Sequence, residues 1–221
     1  MTVTAILTRA ATLANLTNAA FFDTAENEGA LNAAYRDVYE QICSSNDDYF
    51  IQDWTFTLAS MTAVSNEAGA YYIALPTVSN KFYRLRRMEY LAGSAWIPIE
   101  KFNFKDVYKS GPSYRFKGTN LYLMGLNGSS ASSFRAWYYP VPAAYTVALG
   151  TVDIDTPPQL EPDIIAYQIA IDMKRKQNED YTKLQQRRDE LWSRFEQALR
   201  HRDDFSHEHV ANVYGDGGYD E

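Results

Sequence analysis

A chain of 221 residues, 46% of them hydrophobic and 22% charged, has enough apolar mass for one domain or two modest ones. Its formal net charge of −7 excludes a protein whose whole surface grips nucleic acid. The single Cys43 excludes an internal disulfide and a cysteine-based zinc finger.

Aromatic residues are the unusual component: 17 Tyr, 11 Phe and 4 Trp. Rings of this kind line β-strands, and Tyr and Trp also gather where surfaces meet. Charge is unevenly placed. Between Lys81 and Lys117 nine basic residues face three acids, whereas Asp203 to Glu221 holds six acids and no Lys or Arg. Such a basic middle and acidic end either complement each other between copies or are two ordinary solvated regions. The opening MTVTAILTRAATLANLTNAAFF has neither the basic start nor the continuous apolar core of a signal peptide. No apolar run approaches the ~18 residues of a spanning helix. The expectation is a soluble chain made in the cytoplasm, with no membrane partner.

In chain order, Thr2 or Thr4 caps a short helix with Ile6, Leu7, Ala10, Leu13 and Ala14 at helical spacing. Asn27 or the acidic patch before it opens a second helix. Its stripe is Leu31, Tyr35, Val38, Tyr39 and Ile42, while Asn32, Arg36, Asp37 and Glu40 face away. Ser44 to Asp48 ends it. Strand texture then runs from Tyr49 to about Tyr145. The segments are Phe50 to Leu58, Tyr71 to Leu75, Phe82 to Leu91, Ala95 to Ile99, Tyr114 to Lys117, Leu121 to Met124 and Phe134 to Tyr139. Turn residues such as Gly93-Ser94, Gly118-Thr119-Asn120 and Asn127-Gly128 punctuate them. Short strands at this spacing predict a small antiparallel sandwich or partly open barrel.

After Pro157-Pro158 a buried helix is predicted from Ile164, Ile165, Tyr167, Ile169, Ala170, Ile171 and Met173. A break at Gln177 to Asp180 precedes a long polar helix to about His201. Its seam of Tyr181, Leu184, Leu191, Phe195 and Ala198 is interrupted by Arg187 and Arg188 and needs a partner helix. The fold class is α+β: a bundle of two N-terminal and two C-terminal helices (1–48 and 157–202), an inserted antiparallel β-module (49–156), and an extended acidic C-terminal tail (203–221).

A search for chemistry finds little. His201, His207 and His209 lack the His-Glu-x-x-His spacing that sets two imidazoles on one helical face. No nucleophile elbow and no phosphate-cradling loop are present. Cys43 reads as a buried structural thiol. Asp47-Asp48 and Asp153/Asp155 read as loop acids rather than an acid/base pair. No cofactor or metal is expected. On a regular strand Arg84 and Arg86 share one face and Arg87 takes the other. They suit a phosphate backbone, a neighbour's acidic segment, or protection of a sheet edge.

The run Leu31-Asn32-Ala33-Ala34-Tyr35-Arg36-Asp37-Val38-Tyr39 followed by Asp47-Asp48-Tyr49-Phe50 resembles the opening of head-to-tail adaptor (connector) proteins of tailed bacteriophages. The likeness continues through Tyr72 to Pro76, Phe82 to Tyr90, Trp96 to Ile99, Tyr114 to Phe116, Leu121 to Leu123 and Arg135 to Pro142, then Leu160 to Arg202. It covers roughly residues 28 to 202. The resemblance implies a non-enzymatic virion protein in the neck between capsid and tail. It implies a homo-oligomeric ring, usually of twelve copies, that docks beneath the portal protein, binds a tail or nozzle protein, and extends the channel through which genomic DNA passes. By the same resemblance the helical bundle makes ring contacts, while Tyr181, Leu184, Leu191 and Phe195 read from their spacing as packing of the helix seam. The tail reaches the portal with Phe205, Val210, Val213, Tyr214 and Tyr219 as anchors, and Arg84, Arg86 and Arg87 meet a ring neighbour or the DNA. The alternatives are another neck or tail part (a stopper or nozzle), a carbohydrate- or ligand-binding β-module, and an enzyme of unknown type.

Overall fold

The computed structural model describes residues 1–15, 23–45, 48–65, 67–78, 80–102, 111–126 and 133–211, with side chains as far as residue 199. It divides into two compact units, Met1–Asp47 with Pro142–Glu221, and Asp48–Val141. An α+β architecture results, with the β unit inserted between helices.

In the helical unit, α1 (Val3–Leu13) opens on Thr2, whose hydroxyl accepts the Ala5 N–H at 3.2 Å. Helix α2 (Thr24–Ser44) begins three residues before Asn27. Asp23 accepts the Glu26 N–H at 2.7 Å and the Glu26 carboxylate accepts the Asp23 N–H at 3.3 Å, so a reciprocal box satisfies two otherwise orphaned donors. Leu31, Tyr35, Val38, Tyr39 and Ile42 are all buried, as their spacing predicts. Asn32 does not face solvent, contrary to the helical-wheel reading. Its side-chain amide donates to the Tyr145 carbonyl and accepts the Tyr145 N–H, both at 2.8 Å. Glu28 likewise accepts the Val147 N–H at 2.7 Å. Polar residues on α2 thus hold the segment that follows Val141, which the strand texture had placed in the β-module.

Helix α3 (Asp163–Lys176) packs against α1, α2 and α4 (Thr182–Ala211). That position explains why it is apolar around most of its surface. Asn178 at φ 55° marks the break, and Asp180 accepts the Thr182 N–H at 2.9 Å to start α4. The helical backbone runs on to Ala211, nine residues past the expected end of the bundle at Arg202, because no Gly or Pro between Arg202 and Ala211 breaks a helix. Residues 212–221 lie outside the described residues.

The β unit contains two sheets. One has the order β1-β9-β4-β5: β1 (Gln52–Thr57), β4 (Phe82–Ala92), β5 (Ala95–Pro98) and β9 (Ser133–Pro140). The other runs β2-β3-β8-β7-β6: β2 (Thr62–Ala63), β3 (Tyr71–Ala74), β6 (Glu100–Lys101), β7 (Ser113–Lys117) and β8 (Asn120–Met124). Phe56, Met88, Phe134 and Ala136 from the first meet Leu121 and Leu123 from the second in one apolar cluster. This is a sandwich and not a closed barrel, since each sheet keeps two edges. Aromatic pairs cross the strands: Phe56 stacks on Phe134 at 5.6 Å, Tyr72 on Tyr122 at 5.4 Å and Phe82 on Tyr138 at 5.2 Å.

One pairing departs from the antiparallel expectation. The two-residue β6 runs parallel to β7, Glu100 opposite Ser113. The chain changes sheets after Pro98, with Ile99 N–H still bonded to Met88 O at 2.8 Å, and so approaches β7 from the other direction through a longer connection. Gly125 (φ 75°) lies so close to Gly111 that a Cβ there would meet its carbonyl oxygen at 2.4 Å, so this crossing needs glycine.

Candidate functional site

Strand β4 would alternate regularly but for two bulges against β9, between Phe82 and Arg84 and between Leu85 and Arg87. A bulge adds one residue and turns the following side chains over. Arg87 is therefore opposite Trp137 and Glu89 opposite Arg135, on the face that turns away from Met88 and the sandwich core. Arg86 and Arg87, which regular alternation puts on opposite faces, line one pocket, and Arg84 is not among its lining residues.

Glu89 is the centre of this face and is only 3% exposed. Its Oε2 accepts Arg135 Nε at 3.0 Å, an Arg135 guanidinium nitrogen at 2.8 Å and Trp137 Nε1 at 3.0 Å. Its Oε1 pairs with Arg87 at 2.7 Å. Burial pushes the carboxyl up, but the Trp137 and Arg135 donors and the Arg87 charge outweigh it, so the group stays ionised below its ordinary range. Arg135 is also sandwiched between indoles, 4.3 Å from the Trp96 centroid and 4.7 Å from that of Trp137.

Beside this hub opens a pocket of about 570 Å³ lined by Asp48, Ile51, Arg86, Arg87, Glu89, Arg135 and Trp137. Three guanidinium groups meet two carboxylates there, beside the apolar surfaces of Ile51 and Trp137. Sequence reasoning treated Arg135 and Trp137 as scaffold and passed over Glu89. Their i, i+2 spacing on a strand was a usable signal, but Glu89 joins them only through a pairing 46 residues apart.

The helical seam is also accounted for. Leu191 and Phe195 are buried, Tyr181 and Leu184 half-buried, and Leu199 takes the place expected for the exposed Ala198. Arg188 does not interrupt the seam, because its guanidinium donates to Gln168 on α3. A partner helix for the seam is thus α3 of the same chain. Arg175 sits 4.7 Å over the Tyr181 ring. Phe205, Val210 and the three histidines have side chains outside the described ones, and Val213, Tyr214 and Tyr219 lie outside the described residues altogether.

Among the described residues, no three of His, Cys, Asp and Glu come together to hold a metal ion. No helix among them is long and apolar enough to cross a membrane. Cys43 is buried. A β-sandwich unit is thus inserted in the sequence of a helical unit and carries this pocket on an outer face. The family described as SU10 adaptor protein matches residues 1–213, and the chain belongs to it. It is a structural adaptor of a bacteriophage particle, as the resemblance in residues 28 to 202 implied, and a component of the virion with contacts in capsid and tail assembly. No curated protein is a match.

Proposed function

We propose that the chain is the head-to-tail adaptor of a tailed phage: a non-enzymatic subunit of a ring, of about twelve copies by the resemblance, docked beneath the portal and extending the DNA channel to the tail. The observation that carries this beyond family membership is the length of α4. Thirty residues span about 45 Å, whereas the fourteen residues of α3 offer about 21 Å of lateral support. A polar helix longer than the α3 helix it packs on suits contacts with other chains. Phe205, Val210, Val213, Tyr214 and Tyr219 then serve as anchors of a C-terminal strap on the portal. Arg84, Arg86 and Arg87 meet a ring neighbour or DNA in the channel, and a tail or nozzle protein binds at the other end.

Particle mass across a range of concentrations, with and without portal, tests the reading. A closed ring, or one that forms on portal, is expected. Deleting residues 203–221 should leave the fold intact, by circular dichroism, and weaken portal attachment. A chain that stays monomeric and ignores portal removes the proposal, while a ring that binds only tail proteins moves it to a stopper or nozzle role.

A further inference from the structure

The pocket beside Glu89 has a specific chemistry. Glu89 is saturated by four donors, and Arg135 is committed to that carboxylate and to the two indoles. Arg87 is the one of these donors that stays open to solvent, 55% exposed while paired with Glu89 Oε1 at 2.7 Å, and Arg86 beside it is 41% exposed. Arg86 has Asp48 at 3.8 Å, but Asp48 is itself 71% exposed, and a solvated pair of that length yields readily to a better anion. Ile51 and Trp137 supply an apolar wall. A duplex brings phosphates but keeps its bases stacked away from that wall. A peptide with carboxylates beside aromatic rings brings both.

Residues 212–221, Asn-Val-Tyr-Gly-Asp-Gly-Gly-Tyr-Asp-Glu, carry three acids, two tyrosines and no cation. The basic patch and the acidic segment are different parts of one chain, and unlike patches that complement each other are what a head-to-tail ring repeats at every contact. We infer that the Arg86/Arg87 pocket seats the acidic segment 212–221 of a second copy of this chain. Asp216, Asp220 and Glu221 meet the two guanidinium groups, and a tyrosine lies against Ile51 and Trp137. This rests on the ring reading and deepens it. On this assignment Tyr214 and Tyr219 anchor the neighbouring copy instead of the portal, which keeps Phe205, Val210 and Val213.

The test uses the full chain carrying Asp216→Asn, Asp220→Asn and Glu221→Gln, so that its own segment does not compete. A fluorescent, amidated peptide of residues 212–221 is titrated into it at low salt and followed by anisotropy. Saturable binding is expected. It should weaken about a hundredfold in Arg86→Ala/Arg87→Ala, the effect of losing two charge-assisted contacts, and stay unchanged in Arg84→Ala. The same three neutralising changes made in the peptide should abolish it, a control free of any folding defect. Absence of saturable binding, or equal loss with Arg84→Ala, overturns the assignment. So does a short DNA duplex that displaces the peptide with the same Arg86/Arg87 dependence, which would give the pocket to phosphate.

Particle mass of the same samples reads the second copy separately. The neutralised chain should need about ten times the concentration to assemble. Unchanged assembly alongside peptide binding would place the segment in its own copy's pocket and overturn the intermolecular contact. If the unaltered chain never assembles, with or without portal, the ring reading fails and the second copy with it, while the titration still reads the pocket by itself.

Discussion

The two units solve the problem of buried polar groups in opposite ways. The helical unit keeps its centre apolar, with α3 buried by Ile164, Ile165, Ile169, Ala170 and Ile171, and pushes its charges to the rim. The β unit keeps an apolar core between its sheets but also buries a carboxylate on an outer face and surrounds it with four donors. Apolar packing is forgiving and non-directional, whereas a buried charge must have every partner in place. Apolar packing is therefore spread along the helices, while the buried charge is concentrated at one point of the sheet.

Several substitutions break or sharpen that contrast. The largest expected effect is in the helical unit, where Phe195→Ala removes a ring only 2% exposed and should cost about 3–5 kcal/mol, read as a lower midpoint of denaturant unfolding. Next, Glu89→Gln keeps the shape but removes the charge that two arginines share, and should cost about 2–3 kcal/mol. A near-neutral result would mean that the hub contributes shape and not stability.

That contribution should also depend on pH. The folded value lies below the ordinary 4.5, so the stabilisation is complete above that pH and is lost as pH falls through the folded value. The difference between the wild-type chain and Glu89→Gln should accordingly shrink below pH about 4.5. Asp23→Ala, which removes the α2 cap, should cost about 1 kcal/mol.

The smallest effect has the opposite sign. Burial pushes the Asp172 carboxyl up and Asp37 adds to it, against the pull of Arg175. Its charged form therefore opposes folding above the ordinary 3.8. Asp172→Asn should raise stability slightly at pH 7, by no more than about 0.5 kcal/mol given its partial exposure. Loss of stability there would make Asp172 a second hub and erase the contrast.

The helices were legible in the sequence because their periodicity is a local property: the stripe from Leu31 to Ile42 and the apolar α3 follow from spacing alone. Strand positions were also legible, from β-branched and aromatic runs between turn residues. Short β2 and β6 escaped notice because two residues carry no period. Asn32 looked solvent-facing on its own helix, since its partner Tyr145 is 113 residues away. The seam from Leu184 to Phe195 announced the need for a partner helix without saying which, and packing supplied α3.

By itself the sequence determined the order of elements, the apolar faces, the missing catalytic motifs and the uneven charge, because each depends on residue type and near neighbours. Only the tertiary structure decided the parallel β6–β7 pair, the two bulges that bring Arg86 and Arg87 to one pocket, and the union of Glu89 with Arg135 and Trp137. Those depend on register between strands far apart in the chain. A one-residue shift in register moves a side chain to the opposite face of a sheet, and no local pattern records that shift.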